Sequence, residues 1–466
     1  MSDLLDQDAC AQATAIQDGV VSARELAEAA IARIEAGNPE LNALSWQRFE
    51  QALQDCERVN PAAPFAGVPI LLKDHRCTAA GQETRYGTTA LANTTVAGTV
   101  DSNIYRAIID AGFVVLGRTT VPEFATAFVT ESEAAGVTRN PRALDRTPGG
   151  SSGGAAAAVA AGWVAVAHAT DGGGSIRQPA SCCGLVGLKP SRGRISMGPE
   201  AGESWAGATV EGVITRTVRD AAAVTAALAK PFLGDPYSLV TPALAPTPAT
   251  VGPLRIGVMS QHPSGTPWPS GDVGAVFQKV AAVLSDRGHH LSDGFPAALA
   301  ETEYQGHYDT IVDVDVELLS RKVEAALGRP VEDAELAPRN AQKRARARAL
   351  DAPAYLESRY WLAGWTYRLQ SWWSDVDLLM TPTMGDLPAS ADGSAHDADA
   401  GIVSRSTQMM AMTNFANIGG LPAISLPLGQ TDAGVPIGVQ FVGRPGAENI
   451  LVALAAHFEA EGPWAI

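Results

Sequence analysis

Cysteine is scarce in this chain of 466 residues. The five cysteines, at positions 10, 56, 77, 182 and 183, form no CxxC pair and no spacing typical of a metal site. An odd number that includes an adjacent pair is a poor disulfide framework, so we expect a reducing, cytoplasmic environment. The eight histidines also lack an HExxH or similar spacing. No metal site is therefore predicted.

Positive charge and long apolar runs are scarce as well. The chain has 34 Lys and Arg against 50 Asp and Glu, a formal net charge of −16, which disfavours nucleic acid or an anionic membrane as the main partner. The acidic start of the chain lacks an apolar signal core, and the uncharged run 147–170 is dominated by Ala, Gly and Ser. We expect no membrane span, and the net charge says nothing about a small neutral substrate. The oligomeric state stays open, with a homodimer as one option.

Lysine accounts for only six of the 34 basic residues. One of them, Lys73, ends the apolar run Gly67 to Leu72, which is typical of a buried strand. In the simplest interpretation this side chain ends a strand and extends to solvent. The alternative is a buried base, because apolar surroundings favour the neutral form of an amine. The residues around Lys73 leave both interpretations open.

The stretch from Thr147 to Ala180 is the most informative part of the chain. Two glycine loops that carry serines, 149–154 and 172–175, flank an alanine-rich segment. We predict a helix over 155–162, roughly 12 Å long, and a strand over 164–170, roughly 20 Å long. If the two run antiparallel, both loops finish on the same side, and their serines could touch.

The second loop predicts an oxyanion site beside a serine. Successive glycines allow several N–H groups to point into one concavity, which suits a developing negative charge. Ser175 would be the nucleophile, and the flanking pair Asp171 and Arg177 would brace the loop. The candidate oxyanion donors are the backbone N–H groups of Gly172, Gly173, Gly174 and Ser175.

These motifs resemble those of the amidase signature family. The match runs through 149–154, includes most positions from Asp171 to Ala180, and extends to the closing segment 415–442. The family's upstream Lys-Asp pair corresponds to Lys73 and Asp74. The resemblance implies a catalytic triad with Lys73 as the base, Ser151 as the bridging serine and Ser175 as the nucleophile, with Ser152 supporting Lys73.

The resemblance also implies an activity. The enzyme would hydrolyse a carboxamide C–N bond through an acyl-enzyme, without a cofactor, in a small linear or cyclic amide, anilide or carbamate. Three segments, 65–74, 136–141 and 187–199, look most like the nylon-oligomer hydrolases of the family and related broad amidases. The chain departs from the family where Gly172 replaces a larger residue and where His75 stands in place of Asn, which puts the pocket shape in doubt.

Three alternatives are weighed. Gly149, Ser151 and Gly153 satisfy GxSxG, the nucleophile elbow of α/β-hydrolases, but that elbow needs a preceding hydrophobic strand and 140–147 is polar. The chain could be the glutamine-hydrolysing A subunit of a tRNA-dependent amidotransferase, which would need partner chains. It could also be an inert scaffold that keeps the fold for binding, and the intact set of Lys73, Ser151 and Ser175 opposes that interpretation.

The order of helical and strand-like segments predicts an α/β fold. We expect a central mixed, mostly parallel twisted sheet with helices on both faces, in a single domain over 1–466. Residues 1–60 would form an N-terminal helical wrap, with two helices in 3–36. Residues 231–375 would form a helical insertion that lines the substrate pocket, and 386–401 a mobile loop near its mouth.

Two further interpretations concern charged residues. Lys343, Arg344, Arg346 and Arg348 form a small basic cluster, which we interpret as a solvated helix face because acidic residues surround it. Of the histidines, we expect only His75 to lie near a proposed catalytic residue; a supporting or substrate-facing role for it is open, but we interpret it as a plain loop histidine.

Overall fold

The computed structural model describes residues 2–237, 242–263, 265, 271–392, 412–460, 462 and 464. The predicted loop 386–401 lies outside the described residues from 393 onwards. The strands are β1 (Leu44–Gln47), β2 (Pro69–Lys73), β3 (Glu83–Thr84), β4 (Val96–Ala97), β5 (Val114–Thr119), β6 (Glu131–Ser132), β7 (Gly136–Val137), β8 (Val166–Asp171), β9 (Val186–Lys189), β10 (Val210–Thr215), β11 (Arg255–Val258), β12 (His290–Asp293), β13 (Leu378–Pro382), β14 (Ala423–Gln430) and β15 (Pro436–Gly443).

The helices surround these strands. They are α1 (Ser2–Leu5), α2 (Ala9–Gln17), α3 (Ala23–Leu41), α4 (Phe49–Asp55), α5 (Asn103–Asp110), α6 (Gly153–Ala160), α7 (Arg177–Cys183), α8 (Val218–Leu228), α9 (Gly271–Asp286), α10 (Glu303–Leu327), α11 (Pro338–Ala349), α12 (Ala352–Gln370), α13 (Asn414–Ile418) and α14 (Glu448–Glu459). No helix among the described residues combines the length and the hydrophobicity that crossing a bilayer requires.

One sheet of eleven strands organises the molecule, in the order β1-β5-β2-β8-β10-β9-β14-β15-β13-β11-β12. Parallel pairings join β5, β2 and β8, and a second parallel group joins β12, β11 and β13. The other six neighbouring pairs are antiparallel. The predicted mixed sheet is confirmed, and its parallel part consists of these two groups of three strands.

Helices cover both faces of the sheet, as predicted. The alternation in β2 demonstrates this, because successive side chains of a strand point to opposite faces. Leu71 packs in one core with side chains of α3 and α6, whereas Ile70 and Leu72 pack in another with side chains of α5 and α8. All three are fully buried, so the strand that ends at Lys73 is fixed on both sides.

The N-terminal segment differs from the prediction of two helices. It contains three, α1 to α3, and the third continues through Pro39 to Leu41 instead of stopping before it. Its end is fixed by Asn42 in the left-handed conformation and by the Asn38 side chain, whose Oδ1 accepts from the next two free backbone N–H groups. These contacts stabilise the additional turn.

The segment 231–375 is more than a helical insertion. It contributes β11 and β12 to one end of the central sheet, together with the helices α9 to α12. The longest of these helices, α10, packs against α11 and α12. It also supplies part of the wall of the cavity described next.

Candidate active site

Lys73 is the last residue of β2, and its side chain is fully buried. Its Nζ lies 2.8 Å from Ser151 Oγ and 2.8 Å from Thr170 Oγ1. Burial lowers the pKa of Lys73 to about 7, although the negative charges of Glu211 and Asp171 oppose this shift. A large fraction of Lys73 is therefore neutral at neutral pH and can accept a proton. The interpretation of a strand end exposed to solvent is wrong.

Parallel pairing of β2 with β8 brings Thr170 to Lys73. Ile70 is aligned with Val166 and Leu71 with Ala167, so the carboxyl ends of both strands meet at one edge of the sheet. Thr170 is the next-to-last residue of β8. Thr170 could not be predicted from the sequence, because its proximity to Lys73 depends on a register between strands that are far apart in the chain.

The two glycine loops reach one cavity, as their spacing predicted. The intervening helix and strand are present, with boundaries shifted by up to two residues, as Gly153–Ala160 and Val166–Asp171. Gly150, from the first loop, and Ser175, from the second, both line the cavity. The peptide bond between Gly150 and Ser151 is cis.

Ser175 is accessible from this cavity. In the stretch 171–183, only Gly173 and Ser175 are half-buried, and all other residues are buried. The cavity has a volume of about 50 Å³. A small molecule that enters it therefore meets the predicted nucleophile and the backbone of the predicted oxyanion loop.

Asp171 and Arg177 hold the second loop by an ion pair that is fully buried. Arg177 donates two hydrogen bonds of 2.9 Å, one to each carboxylate oxygen of Asp171. Asp171 also accepts from the backbone N–H of Gly174 at 2.7 Å and of Ile176 at 3.1 Å. Burial alone would raise the pKa of Asp171, but the Arg177 guanidinium holds it well below its usual range. The carboxylate therefore stays charged and fixes the loop backbone.

The predicted set of four oxyanion donors needs one correction. The N–H of Gly174 is occupied by Asp171 Oδ1, so it cannot also point at a substrate oxygen in this arrangement. Gly174 has a φ of +135°, and a Cβ at this position would lie 2.4 Å from Thr413 Oγ1. Its glycine is explained by this backbone conformation and close approach. Gly172, Gly173 and Ser175 remain as candidate donors.

Arg177 also ties the loop to the C-terminal part of the chain. Its Nη1 donates to Gln440 Oε1 at 2.6 Å, and its Nη2 donates to Asn417 Oδ1 at 2.6 Å. Asn417 in turn donates to Asp171 Oδ1 at 2.8 Å. Neither amide could be predicted from the sequence, because neither carries a local signal and both lie more than 230 positions away from Arg177.

This ion pair gives a stability prediction. Asp171→Asn leaves the buried Arg177 without its counter-charge, so we expect the free energy of unfolding to fall by about 3 to 5 kcal/mol. Asp377→Asn is the matched control, since Asp377 forms a similar two-point contact with Arg255 at an exposed position. That change should cost less than about 1 kcal/mol. Urea denaturation followed by tryptophan fluorescence measures both, and equal losses would contradict the bracing role of Asp171.

Ser152 contacts Lys73 only through Thr170. The Ser152 side chain is fully buried, and its Oγ donates to the Thr170 carbonyl at 3.3 Å. Since Thr170 is hydrogen-bonded to the Lys73 amine, Ser152 affects Lys73 only indirectly, through Thr170. The predicted supporting role is therefore a matter of fixing Thr170 and not of direct contact.

His168, which the sequence analysis did not assign to the site, lies directly behind Lys73. Its Nδ1 accepts from the Lys73 backbone N–H at 3.2 Å, and its Nε2 lies 2.7 Å from Glu211 Oε2. Because Nδ1 accepts, Nε2 carries the proton and donates to the carboxylate. The statement that only His75 lies near the site is therefore wrong, since the β8 register was not readable from the sequence.

His75 itself is buried. It packs edge-on against Tyr86 at a centroid distance of 5.9 Å and has no hydrogen bond to a residue of the predicted triad among the described residues. Burial lowers the pKa of His75 well below its usual value, so it is neutral. No proton-transfer role follows from this position.

Aromatic side chains form part of the cavity wall. Tyr308, from α10, donates to the Gly172 carbonyl and is fully buried. Trp205 stacks edge-on against Tyr308 at 6.0 Å, and a Cβ on Gly172 would lie 2.6 Å from the Trp205 ring. The glycine at 172, where the family often has a larger residue, therefore allows this tryptophan to approach the loop.

The basic cluster on α11 is not simply solvated. Arg344 is buried and bonds Glu317 and Glu324, which lie on α10. Lys343 lines the cavity that contains Ser175. The cluster faces α10 because the two helices pack together and carry opposite charges.

The nucleophile-elbow alternative finds no support in the fold. Its GxSxG sequence would need a strand directly before it, but among the described residues no strand lies between Val137 and the start of α6 at Gly153. The described residues also contain no group of three or more His, Cys, Asp or Glu side chains placed to hold a metal ion.

Comparison with known proteins gives one consistent result. A family model described as Amidase matches residues 25–452. The 6-aminohexanoate-cyclic-dimer hydrolase of Paenarthrobacter ureafaciens is 37% identical over 98% of this chain and 95% of its own length. This agrees with the resemblance of segments 65–74, 136–141 and 187–199 to nylon-oligomer hydrolases.

Solved structures give the same result. A structure of 6-aminohexanoate cyclic dimer hydrolase superposes with a TM-score of 0.94 at 37% identity and covers 99% of this chain and 98% of its own. A bacterial aryl acylamidase described as an amidase signature enzyme superposes with a TM-score of 0.87 at 26% identity, over 98% of this chain and 96% of its own. The likeness therefore extends over nearly the whole chain.

Proposed function

Because the chain belongs to the amidase family and is a hydrolase of carbon–nitrogen bonds other than peptide bonds, we propose that it cleaves a small linear or cyclic amide, anilide or carbamate through an acyl-enzyme. The observation that carries the proposal is the 2.8 Å contact between Lys73 Nζ and Ser151 Oγ, beside a cavity whose wall contains Ser175. A cyclic amide of the nylon-oligomer type is the first substrate to test, since the relative at 37% identity is named for one.

The proposed chemistry begins with proton transfer to Lys73. A serine hydroxyl is a weak nucleophile, so its proton must leave as it attacks. Ser175 Oγ bonds to the substrate carbonyl carbon and passes its proton to Ser151, which passes its own to neutral Lys73. The same path then returns a proton to the leaving nitrogen as the C–N bond breaks. Water subsequently attacks the acyl-enzyme and releases the acid.

The oxyanion of the tetrahedral intermediate would be bound by backbone N–H groups. Gly172, Gly173 and Ser175 are the proposed donors, and the ion pair of Asp171 with Arg177 keeps them in place. Donors that are fixed in advance stabilise charge that develops in the transition state without reorganising. Loss of one such donor costs roughly 3 to 4 kcal/mol of transition-state stabilisation.

The pKa of Lys73 predicts how the rate depends on pH. Because this pKa is about 7, the amine is neutral above pH 7 and protonated below it. We expect kcat/KM to fall about tenfold per pH unit below a midpoint near 7, since only the neutral amine is a base. The rate of fluorophosphonate labelling should follow the same curve. A rate that is flat from mildly acidic to alkaline pH would contradict the role of Lys73.

A substrate panel tests the proposed class. Cyclic amides, linear amides, anilides and carbamates should include compounds that the enzyme turns over, with release of an amine. Glutamine belongs in the panel, because an amidotransferase A subunit would release ammonia from it and leave the other compounds intact. Turnover of glutamine alone would contradict the proposal, and absence of any turnover would favour an inert scaffold.

A further inference from the structure

Among the described residues, two side chains that carry a charge in their ordinary ionised form line the cavity that contains Ser175. They are Asp309, from α10, and Lys343, from α11. The rest of the wall includes the apolar side chains of Phe128 and Val312. A substrate that fills the cavity therefore meets one carboxylate and one ammonium group against a largely apolar lining.

The ammonium group of Lys343 already has a carboxylate partner. Its Nζ lies 3.4 Å from Asp313 Oδ1. Asp313 also accepts from Arg346, with Nε at 2.6 Å and Nη2 at 2.9 Å. Asp313 therefore forms ion pairs with both Lys343 and Arg346, and it neutralises part of the charge of Lys343.

Asp309 has no such partner. Its Oδ1 accepts from the amide of Gln305 at 2.9 Å, and no cation forms an ion pair with it among the described residues. Burial raises the pKa of Asp309, and Lys343 opposes that shift from a distance. A partly buried carboxylate bonded only to a neutral amide gains more from an added cation than a carboxylate that is already paired.

Asp309 is also held in a fixed place relative to the reacting groups. The preceding residue, Tyr308, donates to the Gly172 carbonyl of the oxyanion loop. The Gln305 side chain that bonds Asp309 accepts in turn from Asn414 at 2.7 Å. The carboxylate thus stands on a helix that is tied to the oxyanion loop and to α13.

We propose that Asp309 binds an ammonium group of the substrate, so that the preferred linear substrates are amides that carry a free amine on a flexible chain. This inference rests on the proposed function, and it names the substrate class for the same site. The amine would be separated from the scissile carbonyl by methylene groups that pack against Phe128 and Val312.

Matched anilides test this preference. The probes are the para-nitroanilides of 6-aminohexanoic acid, of heptanoic acid, which replaces the amine by a methyl group, and of pimelic acid, which places a carboxylate there. Shorter and longer ω-amino acids extend the series. We expect kcat/KM for the best amino compound to exceed that of its uncharged match by about tenfold or more, as for a charge-assisted hydrogen bond.

Variants identify the residue responsible. Asp309→Asn should reduce the preference for the amino compound at least about tenfold, measured as the ratio of the two kcat/KM values. Glu303→Gln is the matched control, because it removes the same charge from an exposed position on the same helix and should preserve the ratio. A preference that Asp309→Asn leaves intact, or a preference for the pimelic compound, would overturn the inference.

These measurements distinguish the proposed role of Asp309 from the proposed amidase function. Hydrolysis of the heptanoyl anilide without any preference for the amine would refute the role of Asp309 and leave the amidase function standing. If no anilide is turned over, calorimetry with 6-aminohexanamide and heptanamide decides the inference by binding alone. Tighter binding of the amine that Asp309→Asn abolishes would support it, and equal binding would refute it.

Discussion

Replacing Ser175 with alanine is expected to lower kcat by on the order of 10⁵ to 10⁶-fold, because the proposed acyl-enzyme can then no longer form. Ser175 is the half-buried serine that lines the cavity, and its side chain makes no hydrogen bond that holds the fold among the described residues. The variant should therefore keep the midpoint of thermal unfolding of the parent. Steady-state assays on the best substrate of the panel, with calorimetry of unfolding, measure both quantities.

A neighbouring serine provides the control for this prediction. Ser152→Ala removes a hydroxyl that donates to the Thr170 carbonyl, a contact worth about 1 kcal/mol. We expect it to cost no more than about tenfold in kcat. Retention of more than a small fraction of activity in Ser175→Ala would contradict the assignment of the nucleophile. Equal losses of kcat in the two variants would indicate that both substitutions act by disturbing the fold, and not by removing a nucleophile.

Loss of Lys73 should have the second largest effect. Lys73→Met keeps much of the side-chain volume in a fully buried position but removes the amine that is proposed to accept the proton from Ser151. We expect kcat to fall by at least about 10³-fold, as for removal of a general base that acts as a unit with the nucleophile. The acid limb of the rate should also disappear, because the group that titrates near pH 7 is gone.

The chain offers a closely matched control for Lys73. Lys189 is also fully buried, and burial lowers its pKa to about 7 as well. Its Nζ donates to the Pro190 carbonyl at 3.0 Å and does not line the cavity of Ser175. Lys189→Met should keep the acid limb and most of the activity. A similar loss of both in the two variants would show that removing a buried lysine is disruptive in itself and that Lys73 has no special role.

The residues predicted for the site belong to segments with a strong local pattern. Glycine loops and the apolar run before Lys73 can be recognised within a few residues, because they reflect local backbone freedom and burial. The lengths predicted for α6 and β8 also placed the two glycine loops on the same side, on the condition that this helix and strand run antiparallel. The two loop serines, Ser151 and Ser175, could therefore be placed in one site from the residues themselves, whereas Lys73 was added to that site only through the resemblance to the amidase signature family.

The residues that were missed depend on contacts across long stretches of chain. Thr170 and His168 reach Lys73 only through the register of β8 with its neighbours, and Asn417 and Gln440 reach Arg177 from the C-terminal strands and helices. A local sequence pattern does not show which residues are paired between strands that are far apart in the chain. It also does not show where the C-terminal segments pack against the rest of the molecule.

The error at Gly174 has a related cause. A run of three glycines indicates that several N–H groups can converge, but it does not tell which of them the protein uses itself. Asp171 takes the N–H of Gly174, and a fold-level contact with Thr413 explains why that residue must be glycine. Asp171 and a substrate oxygen would compete for the same N–H of Gly174. This competition can be recognised only when the positions of the carboxylate and the loop backbone are known.

Labelling with a serine-reactive fluorophosphonate, followed by peptide mass spectrometry, tests the central claim most directly, because it needs no knowledge of the substrate. We expect one adduct, on Ser175, at a rate that falls below pH 7 and that Lys73→Met abolishes. An adduct on Ser151 would contradict the assignment and restore the nucleophile-elbow interpretation. Absence of any adduct would contradict an activated serine in this protein.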